Sequence, residues 1–209
     1  MKMLAFLLWL MITVILYFPV GQPIIWTYTL IVHIAMYKET NYQIWIRQSI
    51  IDYIFDNGQH WLPKETGGIL IGYQATTKEF VITQVIGPGE NAVHGMTWFK
   101  PDQAFHHSEI ARIYEDTGHM ETYMGDWHTH PESVPNPSPQ DLHSIAETFK
   151  KSTHHLNGFL LVIAGMQRLP SGLYVAVHND KEAVRLLPRT RASCAKQAAM
   201  KEDAHGKTR

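Results

Sequence analysis

The chain has almost no thiol chemistry. Its 209 residues include one cysteine, Cys194. That excludes an internal disulfide and a cysteine-built metal cage, and it fits a reducing, cytoplasmic compartment. Net charge is also nearly absent, with 18 Lys and Arg against 19 Asp and Glu. Such a balance gives no reason to expect a nucleic-acid partner. Between Lys2 and Lys38 there is no Asp, Glu, Lys or Arg. No internal repeat is visible.

Inside the uncharged stretch, "LAFLLWLMITVILYFPV" runs from Leu4 to Val20, close to the lower length limit of a membrane-spanning helix. "GQP" interrupts it and "IIWTYTLIVHIAMY" comes next. No small-residue cleavage site lies after the apolar run, which argues against a signal peptide. Two readings of residues 1–36 remain. One is a membrane anchor through residues 4–20, and it is preferred. The other is an over-extended start with Met36 as the initiator, since "MYKETNYQ" reads like an ordinary soluble N-terminus. Lys2 against Lys38 and Arg47 is too thin a bias to orient an anchor.

From residue 41 the text reads as one globular domain, to about residue 188. Apolar residues make up 45% of the chain, enough for a core. Ile46, Ile50, Ile51, Ile54 and Phe55 have helical spacing and predict a helix over Ile44–Gly58. "GGILIGY" (Gly67–Tyr73) and "EFVITQVI" (Glu79–Ile86) predict paired strands, and "AVHGMTWF" (Ala92–Phe99) a third. Pro101–Gly118 opens on proline and closes on glycine, as helices do. Met120–His130 reads as a strand running into a loop, and Ser138–Lys151 as a helix. Gly158–Gly165 reads as a buried strand, Gly172–Asn179 as an edge or half-buried strand, and Glu182–Pro188 as a last strand. The mixed order implies an α/β domain with helices packed on a mixed sheet. Residues 189–209 are polar and basic and read as a disordered tail. Cys194 lies in that tail and is not expected to act as a nucleophile.

The chemistry concentrates in "GDWHTHPESVPNPSPQD", Gly125–Asp141. His128 and His130 are two apart, so on an extended backbone both imidazoles point to one side. Pro131, Pro135, Pro137 and Pro139 stiffen the loop after them. Ser138 suits a helix N-cap, Pro139 the first helical position, and Asp141 the first turn. From there Asp141 can project towards the histidines. Two histidines, one aspartate and one water complete a catalytic zinc site. Each fragment alone has a plainer meaning. Ser138 with Asp141 is a capping box, and His-x-His pairs are common. His106–His107 and His154–His155 are adjacent pairs whose side chains diverge, and both are expected on the surface. His143 lies on a different helix face from Asp141. Trp127 reads as packing, and Asp126 could either orient a histidine or stand exposed next to a strand end.

"HTHP" with "PSPQD" after it resembles the motif of the JAMM metalloproteases, the catalytic branch of the MPN domains. "KETGGILIG" matches the glutamate-bearing strand of that pattern at Glu65. By residue type alone Glu90, Asp126 and Glu132 would serve as a base equally well, and the resemblance singles out Glu65. Gly67 and Gly68 beside it permit close backbone approach, as by a substrate strand. The resemblance spans roughly Ile44–Pro188 and implies an MPN fold, a cytidine-deaminase-like mixed β-sheet with flanking helices. It implies one Zn2+ per chain held by His128, His130 and Asp141. Glu65 would carry protons and Ser138 would donate a hydrogen bond to the oxyanion. "GDWHTHPESVPNPS" is most similar to bacterial members from mobile elements and antiphage operons. Those are encoded with ubiquitin-activating-like and ubiquitin-conjugating-like enzymes. The implied partner is therefore the C-terminal tail of a ubiquitin-like protein or its conjugate. Processing of a sulfur-carrier protein is the alternative within enzymes. A metal-free MPN scaffold is the alternative of another class, and it usually lacks one or more of the ligands present here.

All motif positions lie beyond residue 60. A chain begun at Met36 is therefore expected to fold and to keep its activity. Solubility and cleavage rate of the shortened chain check this, and an insoluble or inactive product would show that residues 1–35 belong to the domain.

Overall fold

The computed structural model describes residues 42–169, 171–179 and 181–187. The apolar run at residues 4–20, Met36 and the tail at 189–209 lie outside the described residues. Among the described residues no helix is long and apolar enough to cross a membrane. The elements run β1 (Gln43–Ile46), α1 (Gln48–Trp61), β2 (Gly67–Thr76), β3 (Glu79–Ile86), β4 (Val93–His94) and β5 (Phe99–Lys100). Then come α2 (Gln103–Asp116), β6 (Thr122–Thr129), α3 (Pro139–Lys151), β7 (Phe159–Ala164), β8 (Leu173–His178) and β9 (Ala183–Leu186). Seven strands form one mixed sheet in the order β1-β3-β2-β6-β7-β8-β9, and β4 and β5 pair separately. β1 runs parallel to β3 and β6 parallel to β7, while the other neighbours are antiparallel.

Helices cover both faces of the sheet, as the α/β reading requires. On one face α1 lays Ile50, Ile51, Ile54 and Phe55 against Leu70, Phe80, Met124, Trp127, Leu160 and Val162. On the other, α3 packs Ile145 and Phe149 on Phe159, Leu161, Ile163 and Tyr174. Ile113 of α2 meets Ile69 and Ile71 on that second face. Alternate residues of β2 and β7 thus go to opposite layers, which is why these strands read as continuous apolar runs rather than as alternations. Ile54 has no exposed surface. Truncating such a residue to alanine costs about 2–5 kcal/mol.

Three expectations change. The predicted helix over Ile44–Gly58 begins only at Gln48, and its first residues form β1. Tyr42, Ile44 and Ile46 pack on the core from one side of that strand, while Trp45 between them is 59% exposed. A short period of two lies hidden under the longer helical one. The predicted third strand over Ala92–Phe99 is a hairpin of two short strands outside the main sheet. It folds back at Gly95, whose N–H donates to the Trp98 carbonyl, in keeping with glycine's weakness inside strands. β8 is no edge, being paired by β7 and β9.

The ladder between β2 and β6 carries one irregularity. Leu70 faces Gly125 and Ile71 faces Tyr123, so Met124 is an extra residue on β6. The bulge breaks the alternation of faces. Met124 and Trp127, three apart, both join the α1 side, and Tyr123 packs on the other. Beyond the bulge the even-numbered residues, His128 and His130 among them, are carried to the α3 side. A regular strand would have turned them towards α1. Bulges serve this re-aiming role near functional sites. Gly125 makes the bulge with φ of 144°. A Cβ there would lie 2.0 Å from the Leu160 carbonyl oxygen on β7.

Gly118 supplies a control, since it also has positive φ, at 63°, but a Cβ there would meet nothing within 4 Å. Gly118→Ala is expected to cost about 1–2 kcal/mol, the intrinsic cost of a left-handed L-residue. Gly125→Ala adds a backbone collision and is expected to cost clearly more. Urea unfolding of both variants checks the order, and equal costs would show that β6 tolerates a regular ladder.

Candidate metal and catalytic site

The site forms where β6 leaves the sheet. Gly67 of β2 pairs with His128 in register. Thr129, the residue between the histidines, points the other way and is buried. Its N–H donates to the Thr66 carbonyl at 2.8 Å, and its hydroxyl accepts from the Thr66 N–H at 3.1 Å. This pair fastens the segment before β2 to the end of β6. His130 N–H continues the sheet by donating to the Ala164 carbonyl.

The loop from Pro131 then enters α3. Ser138 is the N-cap and Pro139 the first helical residue, and the capping box is complete. Ser138 Oγ accepts from the Asp141 N–H, and the Ser138 N–H donates to Asp141 Oδ2 at 2.7 Å. The same carboxylate faces the histidines. Asp141 Oδ1 lies 3.4 Å from His128 Nε2, and Oδ2 lies 3.4 Å from His130 Nε2. The two Nε2 atoms are 3.1 Å apart. Ligand atoms about 2.0–2.2 Å from one tetrahedral ion sit about 3.3–3.6 Å from each other; one ligand atom from each of the three residues lies within 4.8 Å of the others, close enough that they could hold one ion. Among the described residues these three form the one group of three or more His, Cys, Asp or Glu side chains so placed. The capping reading holds, and the same carboxylate lies beside the two imidazoles, so capping does not exclude a ligand role for Asp141.

Electrostatics depend on that convergence. Burial alone would raise the Asp141 carboxyl, but hydrogen bonds from His128, His130 and Ser138 outweigh it and hold it well below the usual carboxylate range. Burial pulls the His130 imidazole down, yet Asp141 and Glu65 outweigh it and set it above its ordinary value. Glu65 is mostly buried, two residues before β2. Burial raises its carboxyl, opposed by His130 and His128 and aided by Asp141 and Glu132. These influences make Glu65 an electrostatic neighbour of the triad.

The other singled-out residues separate. Glu90 is exposed, and Glu132 is exposed on the loop after His130. Asp126 does not bond a histidine and instead accepts from the Tyr123 hydroxyl at 2.8 Å. Its carboxyl is raised by burial, partly offset by Tyr123, His128 and His106. His143, His107 and His155 are exposed. His106, expected on the surface, is buried, with Nε2 at 2.7 Å from the Gly87 carbonyl oxygen. His154 is half-buried against the Phe149 carbonyl. Helix periodicity could have placed His106, since Ile110 and Ile113 share its face. Gly67 and Gly68 are crowded by the chain's own strands. Added Cβ atoms would lie 2.5 Å from the Trp127 carbonyl oxygen and 2.0 Å from that of Ile86. Close approach is real there, but its partner is β6 and the end of β3, in place of a substrate strand. Residues that sequence reasoning missed are Thr129, Gly125 and the β4–β5 hairpin at Glu65. Only the glycine, inside an otherwise strand-like run, left a signal.

Residues 47–187 match the family described as prokaryotic homologs of the JAB domain. A probable metalloprotease of Sinorhizobium fredii is 40% identical over 88 residues, covering 42% of this chain and 54% of its own length. A CD-NTase/cGAS isopeptidase of Escherichia coli is 33% identical over 85 residues, 41% of this chain and 54% of that protein. Another from Vibrio cholerae is 29% identical over 106 residues, 51% of this chain and 65% of that protein. The matches thus span a little over half to about two thirds of these relatives. Among solved structures, a Desulfitobacterium hafniense protein superposes with a TM-score of 0.53 at 13% identity, over 69% of this chain and 90% of that one. That likeness speaks for the fold alone. Family match, mixed sheet and motif geometry agree, and the chain belongs to the prokaryotic JAB-domain family, of JAMM/MPN type.

Proposed function

We propose that this chain is a zinc-dependent isopeptidase or peptidase that cleaves a ubiquitin-like protein from its conjugates or precursor. The setting proposed is a bacterial ubiquitin-like conjugation system of the antiphage kind. The observation that carries the reading is the clustering of His128, His130 and Asp141, from two separate elements, with the buried Glu65 within their electrostatic reach. Relatives named metalloprotease and CD-NTase/cGAS isopeptidase support the reaction class. Exposed apolar side chains support a polypeptide substrate. Val93, Met96 and Trp98 lie on the hairpin bonded to Glu65, and Val134 and Met166 lie on loops beyond His130. A complete ligand set argues against a metal-free scaffold.

His128 and His130 through Nε2 and Asp141 through its carboxylate would hold one zinc ion, which when bound lowers the pKa of a water and polarises a carbonyl. Glu65 takes the proton of the attacking water and passes it to the leaving amine. Its burial-raised carboxyl suits a group that must both accept and return a proton. Ser138 Oγ accepts from the Asp141 N–H with one of its two lone pairs, a bond that leaves its own O–H able to donate. Aimed at the carbonyl oxygen as charge develops, such a donor is worth about 3–4 kcal/mol.

The purified protein is expected to carry about one zinc per chain, and His128→Ala to lose it. Elemental analysis decides, and a wild type without zinc or a variant that keeps it would remove the mechanism. Glu65→Gln is expected to keep zinc and substrate affinity while losing about 10²- to 10⁴-fold in single-turnover cleavage. The assay uses a fluorescent lysine peptide joined to ubiquitin by an isopeptide bond, and conjugates from any neighbouring ubiquitin-like system. Cleavage within about threefold of wild type would move the base to another carboxylate, Glu132 first.

A further inference from the structure

Glu65 stands in a segment without strand pairing, between α1 and β2. Both of its backbone polar groups are nonetheless held, and by consecutive residues of the β4–β5 hairpin. Its N–H donates to the Gly95 carbonyl at 2.8 Å. Its carbonyl lies 2.9 Å from His94 Nδ1. A carbonyl only accepts, so Nδ1 carries the proton of that bond.

The imidazole is itself fixed. It stacks on Trp61, the last residue of α1, with ring centroids 3.4 Å apart and planes 9° from parallel. Phe99 lies on it at 5.3 Å. The hairpin has only two paired positions of its own, Val93 with Lys100 and His94 with Phe99. Two pairs do not make an independently stable sheet. The stack on α1 and the two bonds to Glu65 therefore define where hairpin and glutamate sit relative to each other. On its other side Glu65 adjoins Thr66, locked to Thr129. The hairpin thereby holds the peptide planes on both sides of the Glu65 Cα, and β6 holds the second of them as well.

We propose that His94 is a positioning residue for Glu65, its Nδ1–H holding the Glu65 carbonyl so that the carboxylate points into the space between His128, His130 and Asp141. This rests on the reading of Glu65 as the proton carrier. The role needs a donor at one place on a flat ring. Asn places an amide N–H close to where Nδ1–H stands. Phe keeps the stack on Trp61 and removes the donor.

The test uses the zinc-loaded full chain as wild type, His94→Phe, His94→Asn and Glu65→Gln. Hydrogen exchange at the residue-65 amide is read beside zinc content, and kcat and KM are read on the ubiquitin–lysine-peptide probe. His94→Phe is expected to speed that exchange by about tenfold and to lower kcat by roughly 10- to 10²-fold, as misplacement by about 1 Å does, with KM and zinc unchanged. His94→Asn is expected to restore both. Glu65→Gln should keep wild-type exchange while losing turnover. Wild-type exchange or wild-type kcat in His94→Phe overturns the proposal, as does His94→Asn failing with His94→Phe. Glu65→Gln cutting at the wild-type rate overturns instead the reading of Glu65. Exchange needs no substrate, so a probe left uncut by wild type still leaves the holding of residue 65 decided.

Discussion

The antiparallel ladder of β2 on β6 brings together residues more than sixty positions apart in the chain. Gly67 faces His128, and the Thr66–Thr129 bonds close the ladder's end. Glu65, two residues before Gly67, is thereby brought to the histidine end of β6. The pairings of β2 with β6 and with β3 demand small residues at Gly67 and Gly68, because the Trp127 and Ile86 carbonyls occupy the room a side chain would need. The β2–β6 pairing also demands the extra residue at Met124, since a regular ladder would send both imidazoles into the α1 layer. Core packing and chemistry thus make the same requirement of one strand pair.

The electrostatic arrangement depends on that frame. Several titratable groups share a partly buried space, and their mutual attraction exceeds the cost of burial for Asp141 and His130. Glu65 is the exception, because burial dominates there. A carboxylate held low beside one raised by its surroundings would suit the roles proposed for the two, one holding a cation and the other exchanging protons. Separate elements supply the two, so their environments differ although they face one another.

Much of this was legible in the residues. The His128–His130 spacing gave a shared face, and Pro139 after Ser138 gave the helix start that presents Asp141. These features are local, and a short stretch of sequence carries local geometry. Glu65 could be selected only through family resemblance, because the β2–β6 register that places it is a long-range property. The hairpin was missed for a related reason. Its short strands have no period to detect, and their partners are a tryptophan at a helix end and a glutamate in a coil. The bulge altered facing without altering composition, so only the glycine hinted at it.

The capping box at the start of α3 ties two events into one. The Asp141 oxygen that receives the Ser138 N–H is the one that faces His130. Fraying of that first helical turn would carry the carboxylate away from the imidazoles. An ion held there would in turn oppose the fraying, since whatever binds the ordered form stabilises it. The rate of ion loss would then track the local opening of one turn rather than any opening of the sheet. The start of α3 would then be the place where an ion is released, with the stiff proline-rich loop before it limiting how far the turn can open.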